Sequence, residues 1–257
     1  MSIGRNLEDK VVLITGGAGG IGSAMGRTFA ENGAHVIIHD FRKDGETVAK
    51  EVNGDYLDGD LTDMDATRDI CRRAIMFKGK VDILVNNAGT QVVAGIEEYE
   101  EETWARLIQI MLIAPFQFIK YLLPGMKERQ WGRIINMSSI HGLVASPFKS
   151  AYVSAKHGLI GLTKAVALEV GEYGVTVNAI CPGYVRTPLV EAQIADQSRL
   201  HGISEDEVVE RLILEPAAAK RLIEPEEVAG LAMFLASDHA RSITGSAYSI
   251  DLGWVAR

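Results

Sequence analysis

The chain has 257 residues, 47% of them hydrophobic, which suits one α/β domain with a substantial core and leaves no segment biased towards disorder. Its net charge of −8 argues against nucleic acid or an anionic membrane as a partner. No apolar run reaches the roughly 20 residues of a membrane span, residues 1–10 lack the apolar core of a signal peptide, and the two isolated cysteines, Cys71 and Cys181, read as packing residues of a reducing cytoplasm.

In chain order, VVLIT (11–15) reads as a buried strand, followed by a glycine cluster and a helix over about 20–32. AHVIIHD (34–40) is a second strand and DYLDGD (55–60) holds a short third. VDILVNNAG (81–89) and GRIINMSS (132–139) are further strands, with helical stretches at about 63–78 and 100–129. A helix over about 150–173 leads into VTVNAI (175–180), and one near 225–237 precedes the last strand, SAYSID (246–251). Buried strands alternating with helices predict a doubly wound, Rossmann-type, mostly parallel sheet of about seven strands with helices on both faces. No linker or repeat divides residues 1–257, so a single domain is expected. Residues 183–222 break the rhythm: they hold two polar helical stretches, the second from about Ser204, at the carboxyl end of a strand, where a substrate lid belongs. Six scattered histidines without an H-E-x-x-H pattern give no sign of a metal site.

TGGAGGIG (15–22) joins the first strand to the first helix. Glycines let a backbone approach a pyrophosphate, and a helix N-terminus offers it unpaired N–H groups. Gly17, Gly19 and Gly22 fit the general dinucleotide fingerprint, while Gly16, Gly20 and Gly22 fit a wider spacing. Asp40 ends the second strand, where a carboxylate accepts from ribose hydroxyls and repels a 2′-phosphate, favouring NAD; Arg42 nearby is able to hold that phosphate and weakens the inference. Asp60 either meets the adenine amino group or caps the next helix. In SAYVSAK (150–156), Tyr152 and Lys156 share a helical stripe, and a nearby ammonium would lower the phenol's pKa from about 10, making a base for an alcohol.

Together these stretches resemble the short-chain dehydrogenase/reductase family over nearly the whole chain, through TGGAGGIG, Asp40, Asp60, NNAG (86–89), Ser139, Tyr152-x-x-x-Lys156 and PGYVRTP (182–188). The resemblance implies that Tyr152 is the catalytic acid/base, that Lys156 lowers its pKa and binds the nicotinamide ribose, and that Ser139 orients the substrate oxygen. It implies NAD contacts from Thr15, Gly16, Gly19, Gly20, Ile21 and Gly22 in the first turn and from Asp40, Asp60 and Leu61 at the next strand ends. Asn87, Ala88 and Gly89, then Pro182, Gly183, Val185 and Thr187, complete that set. One position departs from the family. Seven residues after Trp104, where the family carries an asparagine that helps hold a water, stands Met111, so proton relay needs another carrier, such as a carbonyl freed by a local helix bulge, or the Gln109 amide.

Within the family, HGLVASPFKSAYVSAKHG (141–158) and NAICPGYVRTPLVEAQ (178–193) are most similar to members acting on a small 3-hydroxy acid. That narrower resemblance implies a carboxylate site from Gln91, His141, Lys149 and Gln193, with Trp254 closing the pocket from the same or a neighbouring subunit or else packing subunits together. The implied reaction interconverts (R)-3-hydroxybutyrate and acetoacetate with NAD. Another secondary alcohol or ketone (a sugar acid, acetoin, a cyclic ketone) and a non-catalytic NAD-binding redox sensor are the alternatives. A homotetramer is also implied, with the helices at about 100–129 and 150–173 packing across subunits, although their apolar faces equally suit a monomer's core.

Overall fold

The computed structural model describes residues 7–256; the first six residues of the N-terminal stretch read above lie outside them. Seven strands, β1 (Val11–Thr15), β2 (His35–His39), β3 (Asp55–Leu57), β4 (Ile83–Asn86), β5 (Gly132–Met137), β6 (Val175–Pro182) and β7 (Ala247–Ile250), form one sheet in the order β3-β2-β1-β4-β5-β6-β7. Every strand pair is parallel. The continuous apolar runs follow from burial on both faces. Val12 and Ile14 of β1 pack with Phe29, Val48 and Met233 on one side, while Val11 and Leu13 pack with Ile70, Phe118 and Val166 on the other. The first side is covered by α1 (Gly20–Glu31), α2 (Asp44–Glu51) and α9 (Pro225–Ala236), the second by α3 (Met64–Lys78), α5 (Ala114–Glu128) and α6 (Ser150–Val170).

The chain turns to opposite sides after β1 and after β4, so the crevice outside their carboxyl ends is the switch point where such sheets bind ligands. The expected architecture is present, with three local differences. The helix α2 has no counterpart among the predicted elements: its eight residues are largely polar and bury only Gly45, Val48 and Ala49, too little apolar periodicity to register. The third strand stops at Leu57, so that Gly59 and Asp60 lie beyond it on the wall of the crevice. The long helix is one helical run from Glu101 to Glu128, but it consists of α4 (Glu101–Ile108), a π-turn (Gln109–Ile113) and α5. By length and composition that run is apolar enough to cross a membrane, an 18-residue window of it having mean hydropathy 1.5, beyond what the sequence reading allowed; Leu107, Met111, Phe118 and Leu122 of the run are buried in the fold.

The 183–222 insertion contains α7 (Pro188–His201), α8 (Glu205–Val208) and a second π-turn (Val209–Ile213). A parallel bridge between Val185 and Ile223 closes its neck, and Ile194, Val208, Ile213, Leu214, Ala217 and Leu222 give it a small core. The C-terminal turn fastens it from below: Ala218 N–H donates to Leu252 O at 2.8 Å and the Trp254 indole to Ile213 O at 3.4 Å.

At the opposite, amino end of the sheet, Asp82 clips β1 to β4. Its carboxylate is 3% exposed and takes Val11 N–H (3.0 Å), Lys80 Nζ (3.0 Å) and Arg129 Nε (3.2 Å). Asp82→Ala leaves those donors without their acceptor and is expected to cost about 3 kcal/mol of unfolding free energy in a urea titration. A loss under about 1 kcal/mol would show that the clip is dispensable.

Candidate active site

The crevice opens into a groove of about 590 Å³ lined by Gly16, Gly19, Gly20, Ile21 and Gly22, by Asp40, Asp60 and Leu61, and by Asn87, Ala88 and Gly89. The wider glycine spacing is the one the backbone uses. Gly16 has φ +63°, and a Cβ there would lie 2.7 Å from Ala88 Cα; one on Gly22 would lie 2.4 Å from Gly16 O. Side chains would therefore fill the cradle that a pyrophosphate needs, and the start of α1 has no side-chain cap competing for its N–H groups. The residues present fit a nicotinamide dinucleotide.

Asp40 is 3% exposed and already engaged: Ala18 N–H (3.0 Å) reaches one oxygen, and Arg42 N–H (3.0 Å) and Nε (3.3 Å) the other. It therefore shapes the glycine turn on the groove wall, and it holds Arg42. Asp60 does not cap the next helix; that role belongs to Asp63, which accepts from Asp65 and Ala66 N–H, while Asp60 takes Thr62 N–H at 2.9 Å on the groove wall. Thr15 lies beneath the groove, 2% exposed, its hydroxyl accepting Asn87 and Ala88 N–H at 3.0 and 3.1 Å. It supports the NNAG turn from below. Thr187 caps α7 and, with Ile21, lines both the groove and a second, smaller cavity.

That cavity, of about 120 Å³, lies beyond the ends of β5 and β6 and brings together Ser139, Tyr152, Gln91, His141, Lys149 and Gln193. Pro182, Gly183 and Val185 line it too, on this side of Thr187 and away from the larger groove. Tyr152 and Lys156 sit one turn apart on α6. Lys156 is 4% exposed; its Nζ lies 5.5 Å from the Tyr152 ring centre and donates to Met137 O at 2.6 Å. Burial pushes the Lys156 ammonium down to about 8. Burial also raises the Tyr152 phenol, and it is the Ser139 hydrogen bond that pulls the phenol back. The net direction is upward rather than the lowering expected from the spacing, because desolvation of the phenol is the larger effect.

Two groups at the far wall lack partners. The Gln91 amide nitrogen is buried without a hydrogen bond, and Lys149 has no carboxylate among the described residues. Its ammonium sits 5.7 Å from the centre of the Tyr184 ring, and burial lowers its pKa. His141, 4% exposed, meets Ser146 Oγ at 2.7 Å. Trp254 stands behind this wall, its ring 6.1 Å from that of His141 in the same chain. Tyr184 is a wall residue that sequence reasoning missed; it lies inside PGYVRTP, and its place between two motif residues was the available signal.

Met111 falls in the middle of the π-turn, 1% exposed. A Cβ on Gly89 would lie 3.5 Å from its sulfur and 3.7 Å from Lys156 Nζ, so the thioether and the ammonium border the same glycine. The helix bulge expected to accompany this residue is there; Gln109 instead donates to Leu61 O at 3.3 Å.

A phenol and a serine hydroxyl in a small cavity beside the larger groove, with a buried lysine one helical turn from the phenol, all at the carboxyl end of a parallel sheet, suit an oxidoreductase acting on CH–OH groups. The chain belongs to the short-chain dehydrogenase/reductase family, and residues 10–198 match its short chain dehydrogenase model. It is 49% identical over 256 residues to the D-beta-hydroxybutyrate dehydrogenase of Rhizobium meliloti, covering 96% of this chain and 99% of that one. It is 42% identical over 258 residues to the enzyme of the same name from Cupriavidus necator (98% and 100% covered). An uncharacterized oxidoreductase, YxjF of Bacillus subtilis, is 45% identical over 257 residues (98% and 100%). Family members bind NAD or NADP.

Two outcomes follow from this geometry. Met111→Asn restores a polar group near Lys156 and is expected to leave turnover unchanged or raise it; a collapse in kcat would show that the site depends on the thioether. His39 and His141 are both held down to about 4 by burial. An unfolded histidine takes its proton near pH 6.5, so between about 6.5 and 4 the unfolded chain binds more protons and stability falls as the pH drops, by roughly 3 kcal/mol per histidine. Melting temperature against pH should show that decline, shallower in His39→Gln and flat above pH 7.

Proposed function

We propose that this chain is an NAD-dependent dehydrogenase interconverting a small 3-hydroxy acid and its 3-oxo acid, foremost (R)-3-hydroxybutyrate and acetoacetate. The observation that carries this reading is the ammonium of Lys149, held in the wall of a cavity with no carboxylate partner and accompanied by an orphaned Gln91 amide. A desolvated cation beside an unpaired donor is a site for a carboxylate. The volume of about 120 Å³ is well under the roughly 300 Å³ where drug-sized sites begin, which restricts the occupant to a few carbons. The names of the relatives agree with this substrate.

In this reading Gln91, His141, Lys149 and Gln193 hold the carboxylate and so turn the 3-hydroxyl towards Ser139 and Tyr152. Ser139 donates to the substrate oxygen and Tyr152 Oη takes its proton during oxidation, returning it during reduction. The nicotinamide, when bound, accepts the hydride. Lys156 keeps a positive charge beside the phenol below about pH 8 and faces the nicotinamide ribose. The preference for NAD rests on Asp40, whose carboxylate repels a 2′-phosphate and engages Arg42, the cation best placed to bind one. An intact proton-transfer set speaks against a purely sensing role. Two buried free thiols, Cys71 and Cys181, suit a cytoplasmic setting. Assembly as a homotetramer is supported by apolar side chains left in water on α5 and α6, Phe116 at 47% and Leu168 at 90% exposure.

A panel of alcohols and ketones followed by NADH absorbance, with both enantiomers of 3-hydroxybutyrate, tests the substrate. Oxidation of the (R) acid with NAD is expected, with Tyr152→Phe lowering kcat by about 100-fold or more. Lys149→Ala is expected to raise KM for the acid about 10- to 100-fold, the value of a charge-assisted hydrogen bond. An unchanged KM removes the carboxylate clamp; turnover only of a sugar acid, acetoin or a cyclic ketone moves the enzyme to another branch of the family.

A further inference from the structure

The cofactor groove has a second arginine besides Arg42. Arg106, on α4, lines it together with Ile110, one turn further along the same face. Its side chain is exposed, and no hydrogen bond or ion pair to it is present among the described residues. That freedom is unusual for its surroundings. Glu102 lies four residues earlier, the favourable orientation for an acid–base pair along a helix, in a chain of net charge −8, and the pair is not made. The residue lines the groove instead.

Which part of the dinucleotide reaches it follows from the topology. The pyrophosphate belongs at the glycine turn after β1 and the adenosine ribose at Asp40 after β2, so the adenine extends towards the end of β3, where Asp60, Leu61 and Thr62 form the wall. The bond from Gln109 Nε2 to Leu61 O, 3.3 Å, fastens the end of α4 to that wall and fixes the width of the slot between them. Leu61 and Ile110 give it apolar sides. A flat aromatic heterocycle fits there, and of all side chains a planar, weakly hydrated guanidinium is best suited to lie against its face.

We propose that Arg106 is a further cofactor-binding residue of this enzyme, its guanidinium stacking on the adenine ring and closing the outer side of the slot. This rests on the reading that the groove holds a nicotinamide dinucleotide. The pairing is made by the plane and the charge together, so lysine does not replace it.

Equilibrium binding tests it on the purified full chain. NADH is titrated by fluorescence and 5′-AMP by displacement of NADH, in the parent, Arg106→Ala and Arg106→Lys, with melting temperature as the check on folding. The expected result is an about three- to tenfold higher Kd for NADH in Arg106→Ala, the range of a partly desolvated cation–π contact. The Kd for 5′-AMP should rise by the same factor, Arg106→Lys should stay weak, and reduced nicotinamide mononucleotide, which has no adenine, should bind all three proteins alike. Parent-like NADH binding by Arg106→Ala overturns the proposal. So does full rescue by lysine with strong salt dependence, which would mark a point charge on a phosphate. Failure of the parent itself to bind NADH overturns the groove reading and is distinct from either.

Discussion

Lys156 joins the catalytic helix to the sheet in both directions. Its ammonium donates to Met137 O at 2.6 Å, at the end of β5, and its own carbonyl accepts from Ser138 Oγ at 3.0 Å. These two bonds set the height of α6 against the strand that carries Ser139, and so the distance between the serine and Tyr152. Both are buried, where a hydrogen bond is strong and its loss leaves an unsatisfied group. Gly142 shows how tight the junction is: a Cβ there would lie 2.3 Å from Ser138 Oγ.

The same burial determines the electrostatics. Tyr152 is raised, and Lys149, Lys156 and His141 are lowered, each chiefly by desolvation. The cavity wall carries one ammonium, that of Lys149, and no carboxylate. This is the opposite of a structural ion-pair network such as that at Asp82, where the carboxylate already meets two cations.

The walls of the site come from segments that depart from regular geometry. A π-turn carries Met111, which borders Gly89 as Lys156 does, and a second one ends at Ile213, where the Trp254 indole is anchored. The C-terminal turn thus touches both the 183–222 insertion and, through His141, the cavity wall. Insertion and wall are linked by this short path, while the neck bridge between Val185 and Ile223 keeps the insertion tied to the end of β6.

What the sequence by itself determined is what depends on neighbours along the chain. Apolar runs such as VVLIT and VTVNAI marked the buried strands, the glycine turn marked the phosphate cradle, and the ordered spacing of Ser139, Tyr152 and Lys156 marked the reaction class. Local patterning was too sparse at Asp44–Glu51, where only two non-glycine residues, Val48 and Ala49, are buried. Tertiary structure alone decided who satisfies whom: that Lys156 donates to Met137 O, that Asp40 holds Ala18, that Thr15 supports the NNAG turn, and that Lys149 and Arg106 meet no acid among the described residues. Periodicity is written within a few turns of one segment, whereas burial and partner choice are settled by side chains arriving from 19 to 72 residues away.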